Sequence, residues 1–353
     1  MKQKDISDLS LSLPFDQYSR QKIASELIQS LRTNNEKLSI LDVGGYKGAT
    51  YLFQKNDAVT VLDVFDVHEE NYVKGDGTNM DFGDNSFDYV VSFDVFEHIP
   101  RDKRESFVSE CTRVAKRGVI IAAPVATPQN AGAEVFLNDM FAQLHGKDHP
   151  WLKEHIDYHL PELGLSQKLL KKYGLHTLDV PSNYLPLWLL MQATIFAASK
   201  TDKVGKRIDG LYEMYNKSVH PDGAHNPEEN YRVVSIGVKS QKDLDTLKKT
   251  MGTADANHER NFNNCVVVAE KVTQVLVQAL NEFFEVAEDR GKQIDMLKAR
   301  FNDSEKKAAE KQNEVAALKS EIDVIKKSRS YRLATKMAKA KNYPNRVLKG
   351  GDK

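Results

Sequence analysis

Ser39-Ile40-Leu41-Asp42-Val43-Gly44-Gly45-Tyr46-Lys47-Gly48 is the stretch that decides the fold of this 353-residue chain. A short, mostly apolar run meets glycines at once, which reads as a strand ending in a tight turn before a helix. Glycine lets a backbone approach a ligand with no Cβ in the way, and open α/β sheets bind their ligands beyond the carboxyl ends of the strands. Outward from this turn, further apolar runs at 59–63, 72–75, 87–92 and 118–123 alternate with polar helical stretches. That alternation predicts βαβ units and a mostly parallel sheet covered on both faces.

The glycine pattern excludes two phosphate-binding loops. A dinucleotide fingerprint needs glycine at relative positions one, three and six, which here fall on Gly44, Tyr46 and Ala49. No GxxxxGK[ST] occurs in the chain. With no phosphate to seat, such a loop suits an amino-acid-bearing nucleoside. The second predicted strand ends in Val61-Leu62-Asp63, where an acid is placed to accept ribose hydroxyls. Asp76 follows the third strand, where a carboxylate can accept from an exocyclic amine. Downstream lie Asp81-Phe82-Gly83-Asp84-Asn85-Ser86-Phe87-Asp88 and, after the next strand, Phe93-Asp94-Val95-Phe96-Glu97-His98.

The order and spacing of these pieces resemble the class I S-adenosylmethionine-dependent methyltransferases, in particular those with a GDxxxLPFxDNSFDxVxxxxxxEH stretch. The resemblance is close over 38–123 and looser to 239. It implies an α/β fold with a Rossmann-like, doubly wound sheet and S-adenosylmethionine as cofactor. It further implies that Asp42, Gly44, Gly45 and Gly48 shape the methionine end, that Asp63 holds the ribose, that Asp76 with Gly77 reads the adenine amine, and that Phe93 lies along the cofactor. Tyr46 stands where the family usually has glycine.

Methyl transfer from a sulfonium is an in-line displacement, and a sugar hydroxyl is a poor nucleophile unless a base takes its proton. Histidine serves that role best near neutral pH. The run from His145 through His149, Glu154 and His155 to His159 follows the fifth strand, and His155 with Glu154 is the expected catalytic pair, His149 the reserve. His145 with His149 and His155 with His159 are each four apart and would share a helical face as metal ligands. Gly146 and Pro150 interrupt that continuity, so no metal is expected. His98 is expected to pack or line the pocket, and Asp94 and Glu97 to share its edge.

The predicted methyltransferase domain covers 1–240, with a helical insertion near 184–217. A polar linker is expected at 241–260, a coiled coil at 261–327 and a basic tail at 328–353. In the coiled-coil segment Ile294, Phe301, Ala308, Val315 and Ile322 recur every seven residues, with Leu297, Leu318 and Ile325 at the complementary position. Fifty basic and fifty acidic side chains leave no net charge, which argues against nucleic acid as a partner. The two cysteines, Cys111 and Cys265, match no redox or zinc spacing. No secretory h-region is present, so a cytoplasmic protein is expected, with contact at the inner membrane face.

The head, the His-Pro-Trp-Leu-Lys-Glu-His stretch, the coiled coil and the Ser328-to-Ala334 ending together resemble proteins of bacterial surface-polysaccharide (O-antigen) assembly. This second resemblance implies O-methylation of a glycan or lipid-linked sugar, self-association through the coiled coil, and a tail that docks on a glycosyltransferase or the membrane. Methylation of a small molecule or lipid, and a non-catalytic scaffold, are the alternatives.

Overall fold

The structure, a computed structural model of the chain, describes residues 6–46, 48–199, 205–218, 226–251 and 254–329, together with 332, 333, 335 and 336. The helices are α1 (Ile6–Leu11), α2 (Phe15–Leu31), α3 (Thr50–Phe53), α4 (Arg104–Val114), α5 (Pro128–His145), α6 (Pro150–Tyr158), α7 (Leu165–Lys172), α8 (Leu185–Ala198), α9 (Gly205–Ser218), α10 (Gln241–Met251) and α11 (Ala254–Lys327). The strands are β1 (Ser39–Val43), β2 (Ala58–Asp63), β3 (Tyr72–Lys74), β4 (Phe87–Phe93), β5 (Ala115–Pro124), β6 (His176–Tyr184) and β7 (Asn230–Val238). Two compact units divide the chain, Met1–Leu280 and Asn281–Lys353.

All seven strands form one sheet in the order β3-β2-β1-β4-β5-β7-β6. Pairing is parallel from β3 through to β5, while β7 runs antiparallel to both β5 and β6. Because β1 has β2 on one side and β4 on the other, the strand order reverses between β1 and β4. The crevice beyond the carboxyl ends of those strands is where doubly wound folds receive ligands.

The period of two along each strand sends alternate side chains to opposite faces. Ile40, Tyr89, Val91, Phe93, Ile120 and Val234 enter one core cluster with Ile23 and Leu27 of α2 and Leu244 and Leu247 of α10. Leu41, Val43, Val90, Val119 and Ile121 enter the other, against Phe107 and Cys111 of α4 and Leu170 of α7. With apolar residues on both faces the strands read as near-continuous hydrophobic runs, as buried parallel strands must. A third cluster joins Leu137 of α5, Trp188 and Met191 of α8, Leu211 and Tyr215 of α9, and Val268 and Val272 of α11.

Two expected boundaries shift. Residues 241–251, read as linker for their polarity, form α10, whose Leu244 and Leu247 are buried at helical spacing in the first cluster. Nor is α11 free from residue 261 onward, since Val268, Val272 and Val275 are buried in the first unit. Farther along, Ile294, Leu297, Phe301, Val315, Leu318, Ile322 and Ile325 are exposed on a helix of the second unit. Most of the expected basic tail lies outside the described residues, among them Tyr331, Ala334 and Met337. No described helix is long and apolar enough to cross a membrane.

Candidate active site

The glycine turn is held from both sides. The Gly44 amide donates to the Leu62 carbonyl at 2.7 Å. Its φ of +78° is left-handed, and a Cβ there would stand 2.2 Å from Cγ2 of Val95, so any side chain is excluded by backbone and neighbour together. This contact also brings the turn after β1 against the segment after β4. At Gly45 an added Cβ would meet the Asp42 carboxyl at 2.4 Å, and at Gly48 the Gly45 carbonyl at 2.7 Å.

Asp42 is buried and accepts from Thr50 Oγ1 at 2.6 Å, while Gln21 Nε2 donates to the same hydroxyl at 2.9 Å. Burial pushes the Asp42 carboxyl up to about 6. Asp63, at the end of β2, accepts from the Tyr46 amide at 3.1 Å. The Tyr46 ring lies 5.2 Å from that of Phe65 and 6.3 Å from that of Tyr72, so an aromatic wall flanks Asp63. The residue at the atypical position thus builds part of the site. Asp76 is exposed, and its Oδ1 caps the turn by accepting from the Thr78 amide at 2.8 Å. A Cβ at Gly77 would meet the Phe107 ring at 2.8 Å and Val43 at 2.9 Å. Phe93, the last residue of β4, is buried in the core cluster that includes Ile23 and Leu27 of α2.

On the β4 side the chain turns sharply, with Asp94 at φ +53°. Asp94 takes a bidentate contact from Arg232 of β7, at 2.7 and 2.6 Å, and pairs with Arg20 of α2 at 2.7 Å. Burial opposes its ionisation, yet Arg20 and Arg232 outweigh burial and hold the carboxyl below its ordinary value. Asp94 is therefore committed to the frame.

Glu97 and His98 follow in a short 3₁₀ turn. Arg104 fixes that turn against the end of α6: it donates to the carbonyls of Ile99 at 3.0 Å, Glu97 at 3.2 Å and His159 at 2.7 Å. The result brings His155 of α6 against His98, their rings tilted by 48° and their Nε2 atoms 3.3 Å apart. His155 Nδ1 lies 2.8 Å from Glu134 Oε1, which also accepts from the Tyr231 hydroxyl at 2.8 Å. His98 Nδ1 lies 2.8 Å from Glu154 Oε2. Glu154 therefore serves His98 across the gap, while its sequence neighbour His155 is served by Glu134.

Burial and the Asp94 charge push the Glu97 carboxyl well above the usual carboxylate range. Burial and His155 hold His98 below the ordinary imidazole value. For His155 burial works against the charged form, but the Glu134 hydrogen bond and the Glu97 charge prevail and the value is raised. His149 caps α6 through its Nδ1 and sits among aromatic rings, 4.8 Å from Phe141 and 5.2 Å from Phe196. The paired faces considered for His145 with His149 and His155 with His159 do not form, because α6 begins after His149 and His159 leaves it at φ +58°.

Residues 47–123 match the family model described as a methyltransferase domain. Among solved structures, a Galdieria sulphuraria protein assigned as a sarcosine dimethylglycine methyltransferase is similar at 20% identity and a TM-score of 0.41, over 63% of this chain and 85% of its own. A Bacillus halodurans C-125 protein assigned as a methyltransferase is similar at 19% identity and a TM-score of 0.34, over 62% of this chain and 99% of its own. The magnesium protoporphyrin IX methyltransferase of Synechocystis PCC 6803, with bound SAH, is similar at 13% identity and a TM-score of 0.37, over 63% of this chain and 83% of its own. No curated protein matches the chain in sequence.

Proposed function

We propose, from the premise that residues 47–123 are a class I S-adenosylmethionine-dependent methyltransferase domain, that the chain methylates a hydroxyl of a sugar on a bacterial surface glycan or its lipid-linked precursor. The observation that carries the transfer reading is the juxtaposition of the side-chain-free turn at Gly44 with the Glu97–His98–His155 cluster, joined through the Gly44–Val95 contact. The residues fit the cofactor: the Gly44–Gly48 backbone is open where side chains would intrude, and Asp63 ends β2 beside an aromatic wall. Asp63 would hold the ribose, and Asp42 with the glycine turn would shape the methionine end. When bound, S-adenosylmethionine supplies the methyl group, leaving as S-adenosylhomocysteine as the new carbon–oxygen bond forms.

The chain's own work is to orient the acceptor and to receive its proton. The imidazoles of His155 and His98 are positioned for that by Glu134 and Glu154, which fix their rings through Nδ1. A sugar acceptor is favoured by Trp151, 66% exposed and one helical turn before His155 on α6, whose indole offers an apolar plate to the C–H face of a sugar ring. The exposed heptad of α11 supports self-association with a second copy. Contact of the basic tail with a glycosyltransferase or the inner membrane face belongs to the same reading.

Calorimetric titration with S-adenosylhomocysteine tests the premise. Micromolar binding by the full chain, lost in Asp63→Ala, is expected; a folded chain that binds neither S-adenosylhomocysteine nor S-adenosylmethionine overturns the enzyme reading. With binding in hand, transfer of a labelled methyl group to glycan acceptors but not to free small-molecule alcohols or lipids separates the sugar reading from its alternatives.

A further inference from the structure

Among the described residues, one group offers three ligand atoms within 4.8 Å of one another: Glu97, His98 and His155. Three features of this cluster point the same way. Glu97 is 1% exposed, and its Oε2 is buried with no hydrogen-bond partner. A buried carboxylate oxygen left unpaired is costly unless something outside the protein satisfies it. The second feature is the tautomeric state imposed on the histidines. Glu134 and Glu154 can only accept when ionised, so each Nδ1 is assigned as the N–H donor. Both Nε2 lone pairs then face each other across 3.3 Å, next to the Glu97 carboxyl, whose Oε1 is 3.9 Å from His155 Nε2. At that distance either a proton is shared by the two nitrogens or both lone pairs face a cation.

The third feature is the outer support. Metal-binding histidines characteristically donate their second ring nitrogen to a carboxylate, which fixes the ring and raises its basicity. Here both do so, to carboxylates on different helices, α5 and α6. Glu134 is itself braced by the Tyr231 hydroxyl. Such a shell around an inward-facing nitrogen pair with an orphaned carboxylate oxygen exceeds what a surface hydrogen-bond network requires.

We propose that Glu97, His98 and His155 hold a divalent cation. Two imidazole nitrogens and one carboxylate oxygen suit zinc, iron(II), cobalt(II) or manganese(II), and they leave coordination positions open. His98, the more exposed of the pair at 25% of its side-chain surface, marks the side from which an oxygen ligand enters. Resting on the methyl-transfer reading, that ligand is the acceptor hydroxyl: on the cation its O–H bond breaks more readily, the proton leaves to solvent, and the oxygen is held as the nucleophile. The cation, with His98 and His155 as its ligands, then does the work that a free imidazole base would do.

The test uses the full chain, stripped of metal with a chelator, dialysed and titrated with zinc(II) by calorimetry and with cobalt(II) by visible absorption. One saturable equivalent is expected, with cobalt bands of a nitrogen-containing site. Glu97→Gln and His98→Asn should each weaken binding at least tenfold, with unchanged circular dichroism. Glu134→Gln, which touches no cation, should weaken it about 10–100-fold by releasing the His155 ring; a purely structural role for Glu134 would leave the metal affinity unmoved. His145→Ala should have no effect. A folded chain with no saturable binding overturns the proposal and assigns a shared proton to the histidine pair. Binding that survives both ligand substitutions overturns it equally. A parallel titration with S-adenosylhomocysteine keeps the two readings apart, since retained cofactor binding without cation binding spares the methyltransferase and sinks only the metal.

Discussion

The two halves of the crevice are built in opposite ways. On the β1–β2 side the site is a contiguous turn whose function resides in its backbone: glycines at 44, 45 and 48, one buried acid behind them and another at the next strand end. On the β4 side the chemistry resides in side chains drawn from β4 and its turn, α5, α6 and β7. The first half needs a tight path for the chain, which local sequence specifies. The second needs charges kept in register over long separations, which only tertiary structure supplies.

Removing the charge that joins the second half to the frame should have the largest effect. Asp94→Ala strands Arg232, which is almost wholly buried, and should cost about 3–5 kcal/mol in urea unfolding. A loss below about 1 kcal/mol would show that the assembled half does not depend on buried ion pairing.

The contiguous half predicts a smaller effect of opposite sign. Asp42 has a folded pKa of about 6 against an ordinary 3.8, raised by burial. The folded state therefore holds the proton more tightly than the unfolded one, and the native chain loses stability as pH rises from about 4 to 6. Asp42→Asn escapes that penalty, so its stability relative to the native chain should grow by about 2 kcal/mol between pH 4 and 7. Urea midpoints at the two pH values check this; a gap that is constant or shrinks with pH contradicts it.

Least disturbed in stability should be Trp151→Ala. The side chain is exposed, so unfolding should shift by less than about 0.5 kcal/mol while the KM for a sugar acceptor rises and kcat changes little. An unchanged KM removes Trp151 from the acceptor surface.

Legibility in the sequence follows the same division. The strands around Ile40, Val91 and Ile121 announce themselves because both faces are buried, and the Gly44 turn because its dihedral and its close neighbour admit only glycine. His155 stands out in a histidine-rich run, but its partner does not, for Glu134 is one acid on a helix 21 positions away with no local pattern to mark it. Adjacency misleads at Glu154: successive helical residues face different ways, and its carboxylate reaches His98 instead. His98 reads as a packing residue until Arg104 is seen to pull α6 against its turn. Residues 241–251 look like linker because a helix with one thin apolar stripe is mostly polar, and Leu244 and Leu247 are easily passed over.

The stacking of Trp188 on Tyr231, with centroids 3.5 Å apart, has a spectroscopic consequence. Only two tryptophans occur in the chain. Trp188 is buried, and its ring partner donates to the carboxylate that orients His155; Trp151 stands in solvent on the helix that carries His155. Their emissions fall at shorter and longer wavelength respectively. The protein thus carries two tryptophan fluorophores, one buried against the ring that braces Glu134 and the other exposed on the helix that carries His155, so events at the two places are expected to separate by colour without an attached label.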